Sequence, residues 1–245
     1  VRIAWVTHRN FDDSGGSEIA DKLMVSRRPT GIEITHIRPG GVAEDIAEFD
    51  RVVVTGLYGY SNHELNLIAA CEPVIWSHDL QFVGHWLYER ASIFLALNQM
   101  HLEWEMEKAN LKRIRCELNP GWMDTSFVEQ LSDTPRTPQT VLWAHRDIWH
   151  KGLEAAKTYC EEHDLILSVL IGEPRDLALQ LMAGHQYFIL LSQIRDAGPL
   201  SVMEAQMLGC ELILENVGYW PDAEQLRFVV DNADKRFWGL VCESV

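Results

Sequence analysis

The sequence has no apolar run long enough to cross a membrane and no basic-then-apolar leader at its start. Residues 2–8, RIAWVTH, already read as a strand, and the expectation is a cytoplasmic chain. The five cysteines (Cys71, Cys116, Cys160, Cys210 and Cys242) are odd in number, widely spaced and free of any C-x-x-C pair. That pattern argues against a disulfide framework and for reduced, mostly buried thiols. There is no D-x-D, no H-E-x-x-H and no cysteine cluster, so no familiar metal pattern is present and no metal or cofactor is expected. Neither G-x-G-x-x-G nor a Walker loop occurs, which leaves dinucleotide and ATP readings without support. Positive charge is scarce: 21 Lys and Arg stand against 36 Asp and Glu, for a formal net charge of −15. Neutralising phosphates needs a basic face, so this balance argues against a nucleic-acid partner. It still allows a small basic pocket for a diphosphate.

What is present is a globular composition, 47% hydrophobic and 23% charged over 245 residues, enough for two compact domains. Apolar strand patterns alternate with helical ones throughout: 2–8, 32–38, 51–56, 73–79, 92–98 and 113–118 read as strands, with helices between them. The same alternation resumes at TVLWAHR (140–146), LILSVLIG (165–172), YFILLS (187–192) and ELILE (211–215). Alternation of this kind predicts parallel sheets of Rossmann type. Leu118 to Gln139 is rich in Pro and Thr and reads as a linker, so the expected domains are 1–134 and 135–245. The tail from residue 233 is amphipathic and short, expected to pack on a domain without returning to the first one.

Three stretches carry chemistry. The loop before Ser17 closes in Gly15-Gly16, with Ser17 placed to cap a helix that stops before Pro29. Strand, glycine loop, helix makes an anion cradle of backbone N–H groups, although an ordinary tight turn explains it equally. Arg146 closes a strand and Lys151 opens a helix five residues later, beside Gly152. Two cations at a helix start repel each other and the dipole unless an anion lies between them, with surface pairing to Asp147 or Glu154 as the other reading. Finally, SQIRDAGPLSVMEAQMLGCELILEN (192–216) sets Asp196 in a loop and Glu204 just over one turn into a helix. That helix starts after Gly198-Pro199 at Leu200 and ends on Gly209 as a left-handed cap. Both acids are expected at the sheet's carboxyl edge. His78 also ends a strand there, either as a functional contact or as a histidine bonded to a neighbouring segment. Trp143, Trp149 and Trp220 fall near the same edge, with packing as the default and stacking as an alternative.

Those motifs resemble the retaining glycosyltransferases of family 4, in the two-domain GT-B fold. Asp196 and Glu204 keep the family's seven-residue spacing between two acids, with Asp where Glu is usual. Arg146 and Lys151 are similar to its G-R-x-x-x-x-K-G motif, with His145 in place of the first Gly. GGSE resembles its GG-x-E loop, and NPGWMDTSF its N-G-V-D segment. The resemblance implies two Rossmann-like domains facing across a cleft and metal-independent transfer of a sugar, with retention, from a nucleotide-diphosphate donor to a hydroxyl acceptor. That acceptor could be a glycan, a lipid or a small molecule. It implies that Arg146 and Lys151 hold the diphosphate, with help from amides after Gly198, Pro199 and Leu200. Asp196 and His78 would contact the transferred sugar, Glu204 the ribose, and Gly15-Gly16 would close on donor and acceptor.

Rival readings are a glycosidase with two carboxylates, a nucleotide-sugar-binding protein without turnover, and a sugar transferase acting on modified DNA. The cation pair argues against the first, since a hydrolase has no diphosphate to hold. The net charge argues against the last.

Overall fold

A computed structural model describes residues 1–10, 16–78, 85–145 and 149–243. Two compact units emerge: 1–123 together with 229–245, and 124–228. The expected division after residue 134 lies between a short helix, α5 (Ser126–Leu131), and the strand β7 (Thr137–His145).

The first unit is a six-stranded parallel sheet. Its strands are β1 (Arg2–Val6), β2 (Glu33–Ile37), β3 (Arg51–Val54), β4 (Val74–Trp76), β5 (Ile93–Ala96) and β6 (Arg115–Leu118), in the order β2-β1-β3-β4-β5-β6. The order reverses between β1 and β3, which opens a crevice at the carboxyl edge. Continuous apolar runs such as IAWV and RVVV are explained by burial on both faces. Helices α1 (Gly16–Ser26), α2 (Asn62–Ala70), α3 (His85–Tyr88) and α4 (Gln99–Met106) connect the strands. Helix α1 begins at Gly16, so Ser17 sits inside its first turn and is not the cap. Ser61 caps α2 instead, in a reciprocal box with Glu64.

Helix α10 (Ala233–Cys242) belongs to this first unit, contrary to the expectation drawn from its length. Trp238 donates from Nε1 to the Met24 carbonyl at 3.2 Å, and Phe237 packs 5.8 Å from Trp5 and 5.0 Å from Trp76, centroid to centroid. Asn119 Nδ2 donates to the Ala233 carbonyl at 3.1 Å, which ties the helix start to the end of β6. Aromatic area, rather than length, is what brings so short a segment back.

The second unit is a four-stranded parallel sheet, ordered β10-β9-β7-β8, with β8 (Ile166–Ile171), β9 (His185–Asp196) and β10 (Glu211–Val217). Its helices are α6 (Leu153–Glu162), α7 (Arg175–Gly184), α8 (Leu200–Met207) and, straddling the boundary of the units, α9 (Ala223–Asp231). Val141, Trp143, Ala156, Cys160 and Ile189 form one buried cluster between sheet and α6. No helix among the described residues is long and apolar enough to cross a membrane.

Candidate functional site

The carboxyl edge of the second sheet gathers most of the expected residues. Strand β7 ends at His145; after it, residues 149–151 form one turn of tight helix that carries Lys151 to the start of α6. Arg146 lies outside the described residues, as does Gly15. Gly152 follows Lys151 with φ +68°, and a Cβ there would stand 1.8 Å from the Leu191 carbonyl oxygen of β9. Only glycine lets the turn approach the strand so closely. Trp143 Nε1 donates to the Lys151 carbonyl at 3.1 Å, and the Ser192 hydroxyl shares its one proton between the Ile194 carbonyl at 2.7 Å and the His150 carbonyl at 3.1 Å. The turn is therefore pinned to both β7 and β9, and the Lys151 ammonium bonds the Asp196 carboxylate at the end of β9.

Helix α8 starts at the same edge. Gly198 takes φ +140° and Pro199 precedes the first helical residue, Leu200, without a side-chain cap. Among the described residues no side chain bonds the first amides of α8, and a helix start of this kind favours anions. Ser201, in its first turn, lies 3.4 Å by Oγ from Nδ1 of His145, so α8 begins directly beside the end of β7. The His145 ring packs edge-on against Trp143 and Phe188. Burial first, and the Lys151 charge second, push its pKa down to about 3, so it is neutral at physiological pH. Gly209 ends α8 at φ +79°, with the Cys210 and Gly209 amides closing onto the Ala205 and Gln206 carbonyls, as expected of that glycine.

Asp196 and Glu204 do not meet. Glu204 is buried in α8, and its Oε1 accepts from Nε of Arg175 at 2.6 Å. Burial pushes the Glu204 carboxyl up from its usual range, and the Arg175 guanidinium pulls it partly back. Arg175, the first residue of α7, also lies 5.3 Å from the Phe127 ring centroid. Each acid at this edge therefore has its own cation. Of the tryptophans flagged near the site, Trp143 and Trp220 are buried, whereas Trp149 is 70% exposed beside Lys151.

His78 belongs to the first unit, two residues beyond β4. It is buried, and its Nε2 lies 2.9 Å from Oδ1 of Asp21 on α1. The other oxygen of Asp21 accepts from Thr55 Oγ1 at 2.7 Å, and Arg9 donates to the Thr55 carbonyl at 2.7 Å. The pairing lies at the carboxyl edge, where β1, β3 and β4 end. Gly16 opens α1 a little more than one turn before Asp21.

Two members of these constellations escape a reading of the sequence: Asp21 and Arg175. Each has a signal. Asp21 is an acid on the buried face of α1 between Ala20 and Met24, and Arg175 is a cation at a helix start, the same conflict with the dipole that marks Lys151. Among the described residues no group of three or more His, Cys, Asp or Glu could hold a metal ion.

No protein-family model matches this sequence, and no curated protein matches it. Solved structures do match. The apo structure of OtsA superposes with TM-score 0.59 at 9% identity, over 100% of this chain and 99% of that one. HepE of Anabaena in complex with UDP gives 0.52 at 12%, over 98% and 95%. An alpha-glucosyltransferase in complex with UDP and a 13-mer DNA containing a HMU base gives 0.50 at 11%, over 98% and 94%. The chain has the GT-B fold. At this identity the likeness is one of fold, built on two parallel Rossmann-like sheets. One correction follows. Net charge was read as arguing against a nucleic-acid partner, and a chain of this same fold has been solved with DNA bound. The balance of −15 therefore removes no acceptor class.

Proposed function

We propose that the protein binds a nucleotide-diphosphate sugar on its second unit and transfers the sugar, with retention, to a hydroxyl acceptor. The observation that carries this is the convergence of Lys151, Asp196 and the uncapped start of α8 on one sheet edge. Lys151 would neutralise the departing diphosphate, where most negative charge develops, and the α8 amides would share it. Arg146 is proposed as the second cation of that contact. Lys151 pairs with Asp196. An arriving diphosphate would take over the ammonium and release Asp196 to the hydroxyls of the transferred sugar. Glu204 would accept from the ribose. The acceptor hydroxyl would attack on the face the diphosphate leaves, with a diphosphate oxygen taking its proton, so no enzymic nucleophile and no metal is invoked. His78, held by Asp21, is proposed to contact the sugar or acceptor, and Gly15 and Gly16 to close on donor and acceptor.

The test is transfer and hydrolysis of radiolabelled UDP-glucose by the wild type and Lys151→Ala. Lys151→Ala abolishes turnover with an unchanged circular dichroism spectrum; undiminished turnover removes the mechanism. Donor that binds and is never consumed points instead to a binding protein without turnover.

A second reading concerns the acceptor, and it is favoured by the DNA-bound structure of the same fold. On that reading the acceptor is a hydroxylated base in DNA. Label appearing in a duplex that carries a hydroxymethyl base, and not in the unmodified duplex, supports it; label in neither removes it.

A further inference from the structure

We propose that Arg175 is the positioning residue of Glu204, occupying one carboxylate oxygen and leaving the other for the ribose hydroxyls of the donor. The inference rests on the reading of Glu204 as the ribose contact and adds a residue to it.

Glu204 is embedded in α8 among Val202, Met203, Ala205 and Met207, all buried, and its side chain is only 8% exposed. A carboxylate in such surroundings protonates unless a cation or several hydrogen bonds compensate. Its one bond among the described residues is from Arg175 Nε to Oε1, and Oε2 accepts nothing there. Arg175 approaches from a different helix, with its side chain 44% exposed and its guanidinium set against Phe127 of α5. Helix α8 carries no other titratable side chain, and among the described residues Arg175 is the charge that acts on Glu204. A planar guanidinium fixes the plane of the carboxylate it bonds, which an ammonium does less well. The free oxygen is then both anionic and aimed, the two properties a ribose diol requires of its acceptor. An ion pair that merely fastened α7 to α8 would lose stability on mutation without linking nucleotide affinity to the protonation of Glu204.

The experiment follows the Glu204 carboxyl by carbon-13 NMR, assigned with E204Q, in the wild type, R175Q and R175K. UDP affinity is measured by calorimetry at pH 6 and pH 8 in the same set and in R175Q/E204Q. Removing Arg175 should raise the Glu204 midpoint and make UDP binding weaken several-fold more between pH 8 and pH 6 than it does in the wild type. The wild type should show only the shallower dependence set by the titration of the UDP phosphate itself, R175K should lie between the two, and the double variant should return to the wild-type dependence. A Glu204 midpoint indifferent to Arg175, or an R175Q loss equal at both pH values, overturns the positioning role. A midpoint that moves as expected while E204Q keeps wild-type UDP affinity overturns the ribose contact on which the proposal rests.

Discussion

Gly152→Ala tests the site's geometry more directly than any change of charge. The substitution adds one methyl group, yet that group would lie 1.8 Å from the Leu191 carbonyl oxygen, at a residue held at φ +68°. The left-handed conformation alone costs an alanine about 1 to 2 kcal/mol. The clash adds to it, because the obstructing atom is backbone in a strand that pairs with β10 through Leu191 and Glu215. Overpacking of this sort costs about 1 to 3 kcal/mol, so the sum is about 2 to 5 kcal/mol. For a chain of this size each kcal/mol lowers Tm by roughly 2 to 4 °C, and the second unit should melt about 10 °C earlier. The assay is differential scanning calorimetry. Gly239→Ala is the control: that glycine lies within α10, and nothing stands within 4 Å of the added methyl. It should gain about 0.5 to 1 kcal/mol from helix propensity. If Gly152→Ala melts within about 2 °C of the wild type, the turn carrying Lys151 is not pressed against β9 and the site loses its frame.

Two further perturbations probe each unit separately. His145 has a folded pKa of about 3 against an ordinary value of 6.5, so the unfolded chain takes up its proton first as pH falls. Stability should then decline below about pH 6.5, by up to about 1.4 kcal/mol per unit until the folded value is reached. Urea midpoints at pH 4.5 and 7.5 check this, and His145→Gln should flatten the difference; equal slopes in both proteins contradict the burial of the ring. In the first unit, Trp238→Ala removes a buried indole and its bond to the Met24 carbonyl, which keeps only the Arg27 amide. It should cost about 3 to 5 kcal/mol in denaturant unfolding.

The strands were legible because both sheets are parallel and their inner strands are buried, which makes runs such as IAWV, VLWA and FILL unbroken by polar residues. Helix α8 was legible through Pro199 and Gly209, which punctuate it at both ends. Partner choice was not. The spacing of Asp196 and Glu204 suggested a shared crevice, but spacing along a chain says nothing of which cation another helix brings. Lys151 claims one acid from the turn after β7 and Arg175 claims the other from the start of α7. The return of α10 was misjudged for a related reason: its anchorage depends on Trp5, Met24 and Trp76, more than 150 residues earlier, and length alone carries no information about them.

The same distinction explains why net charge misled. A sum over 245 residues weighs Glu161 and Glu162 at the far end of α6 equally with Lys151, although screening confines each exposed charge to its neighbourhood, about 10 Å at ordinary salt. Recognition of a diphosphate, or of a few phosphates along a duplex, is decided within that radius. Lys151 is paired with Asp196 within that radius, so the local competition between that carboxylate and an arriving phosphate, and not the sum over the chain, decides whether the anion is held. Overall acidity enters instead as a long-range term that slows the approach of any polyanion at low salt and fades as salt screens it. For an acceptor such as DNA, raising salt would then quicken encounter through relief of that repulsion while weakening the local phosphate contacts. The two effects oppose each other, so the salt dependence of binding should be shallower than a basic DNA-binding protein shows.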